Sequence, residues 1–183
     1  MYQCEDELGI PGVELTKDLM EIAGTTMRDN FTVLGPHVLP IREQLKFGAN
    51  YIARRSAPTL NRWAEALGLS ARLTRPQLYR PDFKAGIQHF CIHAGGRAVI
   101  DGIEKNLSLH PSYTAPSRAT LFNWGNTSSS SIWYELKYVE GVEPRFQLPR
   151  ETYGHTLRKG DRILQIGFGA GFKCNSAVWL RMR

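Results

Sequence analysis

His89-Phe90-Cys91-Ile92-His93-Ala94-Gly95-Gly96-Arg97-Ala98-Val99-Ile100-Asp101 reads as strand, glycine turn and helix, and this stretch decides the fold class. The β-type run begins at Ile87 and stops at Ala94-Gly95-Gly96, after which Val99, Ile103 and Leu107 recur at helical spacing. Further on, a second helix is predicted over Ser117 to Phe122. A third starts in the serine run Ser128 to Ser131, with a serine as N-cap, and continues through Leu136. After a polar connection from Gly141 to Gly160, Arg162 to Phe168 and Phe172 to Trp179 read as two strands joined by Gly169-Ala170-Gly171, a closing hairpin. Strands alternating with helices in this way imply an α/β domain.

Upstream the pattern is looser. Leu15 to Gly24 reads as a short helix with Thr16 as N-cap. Pro36 and Pro40 punctuate the apolar stretch from Phe31 to Tyr51, whose later half, EQLKFGANYIARR, has the pattern of an amphipathic helix with a basic end. Such a helix ordinarily packs on a core, and a membrane-surface helix is the sharper alternative. Ser56 to Pro81 reads as a partly helical connector. The expected division is therefore 1–84, a helical and connecting region, and 85–183, the α/β domain.

The chain of 183 residues is 42% hydrophobic, enough for one globular core. Its 23 Lys and Arg exceed 17 Asp and Glu by six, which favours anionic partners. The basic residues are scattered among acids without a recognition-helix, finger or RNP pattern, which argues against nucleic acid. Cys4, Cys91 and Cys174, odd in number and widely spaced, suggest a reducing environment without a disulfide framework. No apolar run approaches the ~20 residues of a spanning helix, and acids occupy the place of a signal peptide's basic region.

His89, Cys91 and His93 alternate and fall on one strand face. Same-face neighbours on a strand lie about 6.6 Å apart, so three in a row converge poorly on one ion, and no metal is expected. Cys91, between Phe90 and Ile92, reads as a buried thiol, whereas His93 ends a strand before two glycines, where side chains of α/β folds project into clefts. Gly167 to Gly171 (GFGAG) imitates a dinucleotide fingerprint, but a strand follows where a helix is required. A tight turn with exposed backbone N–H groups remains, either structural or aimed at an oxyanion.

Three stretches together, HFCIHAGGRAVID (His89 to Asp101), GNTSSSSIWYEL (Gly125 to Leu136) and GFKCNSAVW (Gly171 to Trp179), resemble the plant-type 3-ketoacyl-CoA synthases of very-long-chain fatty acid elongation. GVELTKDLMEIAG (Gly12 to Gly24) and Leu34 to Pro40 are similar to the same family. The resemblance implies the C-terminal half of a thiolase-like fold, layered αβαβα with a mixed sheet. It implies decarboxylative Claisen condensation between malonyl-CoA and a long-chain acyl-CoA held as a thioester on a cysteine, with no cofactor. His93 and Asn126 match the His and Asn of the Cys-His-Asn triad, whose N–H groups stabilise the enolate oxygen formed as CO2 leaves. His89 matches a further family histidine and is expected to support His93. The turn Gly169, Ala170 and Gly171 is expected to offer a backbone N–H to the tetrahedral intermediate.

Two departures accompany the match. Phe122 stands where the family has a histidine, and none of the three cysteines matches the family nucleophile, which lies in an upstream Gly-Cys segment. The expectation is a fragment or truncated product, inactive alone. Its complete counterpart is expected to be a homodimer on the cytosolic face of the endoplasmic reticulum membrane, anchored by N-terminal segments missing here. A non-catalytic partner module and a chalcone-type polyketide synthase relative are the alternatives.

Overall fold

The computed structural model describes residues 2–5, 8–9, 11–14, 19–69, 73–141, 154–169 and 173–183. Two compact units emerge, Met1–Leu34 with Ile87–Arg183, and Gly35–Gly86. Composition divides the chain at 84/85, whereas here residues 1–34 group with the C-terminal unit. One reason is Asn30: its side-chain amide donates to the Cys174 carbonyl at 3.2 Å and its oxygen accepts from the Ser176 hydroxyl.

The larger unit is α/β. Strands β1 (Tyr2–Glu5) and β2 (Pro11–Glu14) form an antiparallel pair that the sequence pattern does not announce. Helix α1 (Leu19–Val38) follows. The central sheet has the order β3-β4-β5, with β3 (His89–Ile92) parallel to β4 (Arg162–Gly169), and β4 antiparallel to β5 (Lys173–Leu180). A parallel pair needs a crossover, and α3 (Arg97–Leu107), α4 (Pro111–Trp124) and α5 (Ser131–Glu140) supply it. The sheet is thus mixed, as expected, and the last two strands close as the predicted hairpin.

All of β3 is buried, as are Ile163 to Ile166 of β4. Such continuous burial is the mark of strands covered on both faces. Against β3 pack the small buried residues of α4, among them Ala115, Ser117 and Ala119, with Tyr138 and Val139 of α5. The sequence places α4 from Ser117, yet it starts at Pro111. Pro111 takes the first helical position, where its missing N–H costs nothing, and the His110 ring accepts from the Ser112 N–H. Serines do open the third helix, through a 3-10 turn over Ser128–Ser130, but Ser130 at the N-cap makes no capping bond; its hydroxyl donates to the Thr127 carbonyl at 2.5 Å. Arg118 fastens α4 to α3 through Asp101 at 2.6 Å and Glu104 at 2.9 Å.

In the smaller unit α2 (Ile41–Ala66) runs through Pro58. The connector expected from Ser56 is therefore helical to Ala66. Pro36 likewise lies inside α1, in its last turn, and the break between α1 and α2 falls at Pro40, which is held extended. Proline disfavours helical geometry at the residue before it: Leu39 ahead of Pro40 leaves the helix, while Gly35 ahead of Pro36 stays in it. Thr16 and residues 15–18 of the first predicted helix lie outside the described residues.

Candidate active site

β3 carries His93 out of the sheet at its C-terminal end. The His93 N–H still pairs with the Ile166 carbonyl at 2.9 Å, extending the β3–β4 ladder by one residue. The chain then turns sharply, with the Gly95 N–H on the His93 carbonyl at 2.8 Å. This turn brings Gly95 back against the imidazole: a Cβ at Gly95 would stand 2.8 Å from Cδ2 and 2.9 Å from Nε2. Phe168 of β4 meets the ring edge-on, with centroids 6.1 Å apart. His93 is only 7% exposed, its Nδ1 has no hydrogen-bond partner among the described residues, and burial lowers its pKa. A neutral imidazole results, able to donate one N–H.

Asn126 reaches the same glycine from the other side. Its Nδ2 donates to the Gly95 carbonyl at 3.0 Å and its Oδ1 accepts from the Ser128 N–H at 2.9 Å. Gly125 makes this possible by leaving α4 at φ 68°, in the left-handed region where a side chain is strained. Two residues 33 apart in sequence, His93 and Asn126, are therefore brought together through Gly95.

The segment is held from behind by a buried network that sequence reasoning missed. The Ile92 N–H donates to the Ser117 hydroxyl at 3.1 Å and the Ala94 N–H to the Ser131 hydroxyl at 3.0 Å. Ser117 in turn donates to Glu135 Oε2 at 2.7 Å, and the Ser131 side chain also bonds Glu135. Glu135 is wholly buried, and burial pushes its pKa well above the usual carboxylate range against the opposing pull of these bonds. The signal lay in the spacing: Ser131, Glu135, Tyr138 and Val139 form one helical stripe, buried along its length.

The remaining candidates separate. His89 bonds Asp161 through Nε2 at 3.0 Å and meets the His155 ring edge-on at 6.4 Å. It sits at the start of β3, about 13 Å along the strand from His93, on the same strand face. Cys91 lies in the apolar cluster with Ala115, Ala119, Tyr138, Val139 and Ile163; burial, then Glu135 and Glu140, push its thiol up. Burial raises Cys174 to about 11. Neither has the setting of a nucleophile. Phe122 is 63% exposed. Gly169 ends β4 and lines a cleft of about 360 Å³ with Phe168, Lys173, Asn175 and the α5 start. Ala170 and Gly171 lie outside the described residues.

Two family profiles match the chain: "FAE1/Type III polyketide synthase-like protein" over residues 1–56 and "Chalcone and stilbene synthases, C-terminal domain" over residues 83–182. Among curated proteins, 3-ketoacyl-CoA synthase 17 of Arabidopsis thaliana is 49% identical over 183 residues, all of this chain and 32% of that protein. 3-ketoacyl-CoA synthase 4 of Arabidopsis thaliana is 48% identical over 183 residues, again all of this chain and 30% of that protein. Probable 3-ketoacyl-CoA synthase 20 of Oryza sativa subsp. japonica is 46% identical over 181 residues, 99% of this chain and 29% of that protein. The chain thus spans about a third of the length of these relatives, 32% of the first. It belongs to the family of the chalcone and stilbene synthase C-terminal domain, and within it the likeness to 3-ketoacyl-CoA synthases runs from end to end of the chain.

Proposed function

We propose that this chain supplies the malonyl-CoA side of a 3-ketoacyl-CoA synthase, which joins malonyl-CoA to a long-chain acyl-CoA in very-long-chain fatty acid elongation. The observation that carries the reading is the convergence of His93 and Asn126 on Gly95 at the open end of β3. In the reaction the malonyl thioester loses CO2, and the electron pair of the broken bond becomes a thioester enolate. A neutral His93 N–H and the second N–H of Asn126 Nδ2 stabilise its oxygen, the low dielectric of a buried site strengthening both bonds. The enolate carbon attacks an acyl thioester, forms the new C–C bond and expels the thiolate. That thiolate is assigned to the family's upstream Gly-Cys segment, which none of Cys4, Cys91 and Cys174 matches, Cys91 and Cys174 being shifted away from reactivity as well. Gly169, with Ala170 and Gly171, is assigned to the turn that faces the acyl carbonyl. His89 is assigned to anchoring the strand through Asp161.

For the complete protein we propose a homodimer at the cytosolic face of the endoplasmic reticulum membrane, with 1–84 and 85–183 as two of its segments. The raised pKa of Cys91 and Cys174 favours a second reading, a non-catalytic module that pairs with a complete synthase. Joining this chain to the preceding portion of 3-ketoacyl-CoA synthase 17 separates the two. Radiolabelled malonyl-CoA incorporated into 3-ketoacyl-CoA supports the synthase; a folded, inert hybrid supports the module.

A further inference from the structure

Helix α2 keeps its polar side occupied and its apolar side bare. Residues 73–82 run along the polar side: Asn61 bonds both backbone groups of Leu73, at 2.8 and 3.0 Å, and Asn50 takes the Gln77 carbonyl at 3.0 Å and the Tyr79 N–H at 2.9 Å. Glu43, 6% exposed, accepts from the Tyr79 hydroxyl, the Asp82 N–H and Lys46. The opposite side carries Ile41, Leu45, Ile52 and Trp63, which fall within about 40° of one another on a helix of 3.6 residues per turn. They are 70, 67, 67 and 66% exposed. A stripe of large apolar residues is ordinarily the buried face of a helix, so here the arrangement is inverted.

Charge identifies what covers the stripe. Residues 35–86 hold nine Lys and Arg against three Asp and Glu, while the rest of the chain holds fourteen of each. The entire net charge of +6 therefore resides in this unit. Exposed Arg42 flanks the stripe on one side and exposed Arg55 and Arg62 on the other. A protein partner could match either feature, but apolar side chains bordered on both sides by arginines, with a tryptophan among them, match a layer of acyl chains under phosphate headgroups. No helix among the described residues is long and apolar enough to cross a membrane, so this one would lie in the surface.

We propose that α2 lies in the interface of an anionic bilayer, with Ile41, Leu45, Ile52 and Trp63 among the acyl chains and Arg42, Arg55 and Arg62 against lipid phosphates. The contact belongs to this chain itself and is independent of any anchor elsewhere. It does not depend on the condensing activity, so failure of either leaves the other standing.

The test is flotation of the 183-residue chain with vesicles of phosphatidylcholine alone or with roughly one third phosphatidylserine. The expected result is co-flotation with the anionic vesicles, weakened about tenfold or more by Ile52→Glu and, separately, by the pair Arg55→Glu and Arg62→Glu. Val33→Glu, at an equally exposed site on α1 (70%), should float unchanged. Brominated lipid should quench the chain's tryptophan emission, and Trp63→Phe should remove most of that quenching while circular dichroism stays the same. Several results overturn the proposal: flotation indifferent to the α2 variants, no flotation with either vesicle, self-association that Ile52→Glu disperses without vesicle binding, or tighter binding to duplex DNA than to vesicles.

Discussion

Gly95 stands against the Cδ2–Nε2 edge of His93 so closely that any Cβ there would come within 2.8 Å of the ring, and the carbonyl of the same residue holds Asn126. The glycine is therefore the spacer that sets the distance between the two N–H donors. Gly95→Ala must either rotate the imidazole or push the turn away from Asn126. Overpacking of this kind costs about 1–3 kcal/mol, and we expect a lower melting temperature together with at least a ~10-fold loss of malonyl-CoA decarboxylation in the joined protein. Unchanged turnover would show that the spacing is not critical.

Glu135 predicts a pH dependence. Its pKa is raised in the folded chain, so its contribution to stability is complete below the unfolded carboxylate range, near 4.5, and is lost as pH rises, because the unfolded state ionises first. Glu135→Gln removes that ionisation. Its melting temperature should gain on the parent between pH 5 and pH 8. Glu135→Ala instead strands the Ser117 and Ser131 hydroxyls and opens a cavity, at a cost of about 2–4 kcal/mol at any pH. Thermal melts of the three proteins across that range check both statements.

His93 has the opposite sign. Its lowered pKa means that the neutral ring's contribution is present above the unfolded value, near 6.5, and is lost as pH falls through the folded pKa. Nuclear magnetic resonance titration of the ring should place its midpoint below that of a free histidine; a midpoint above it would show the ring to be charged and paired.

Cysteine reactivity offers a separate check. With burial holding Cys91 well up and Cys174 at about 11, neither should be alkylated quickly by iodoacetamide at pH 8 in the folded chain, and both should react after denaturation. Cys91→Ala should leave most activity in the joined protein, with a modest loss of stability from the apolar cluster. Rapid native labelling of Cys91 would contradict the burial.

These residues also show what could be read in advance. The strand end at His93 was legible because the β-type run from Ile87 stops at two glycines, whereas the meeting of His93 and Asn126 at Gly95 was not. Helix limits were less legible. His110 capping α4 with its own ring, and Pro36 and Pro58 lying inside helices, are decided by packing and not by local preference. Glu135 was hidden since a carboxylate on a helix reads as solvated until the partners Ser117 and Ser131 are seen to converge. The bond between His89 and Asp161 was not legible, because Asp161, 72 residues away, becomes adjacent only through the parallel pairing of β3 with β4.

The most direct test of the central claim is malonyl-CoA decarboxylation and condensation by the joined protein carrying His93→Ala or Asn126→Ala. Loss of one oxyanion donor typically costs about 100-fold, and each substitution should lower turnover by at least that factor, with the folded circular dichroism spectrum and vesicle flotation retained. Turnover within a few-fold of the parent for both variants would contradict the assignment of His93 and Asn126 as the groups that stabilise the enolate.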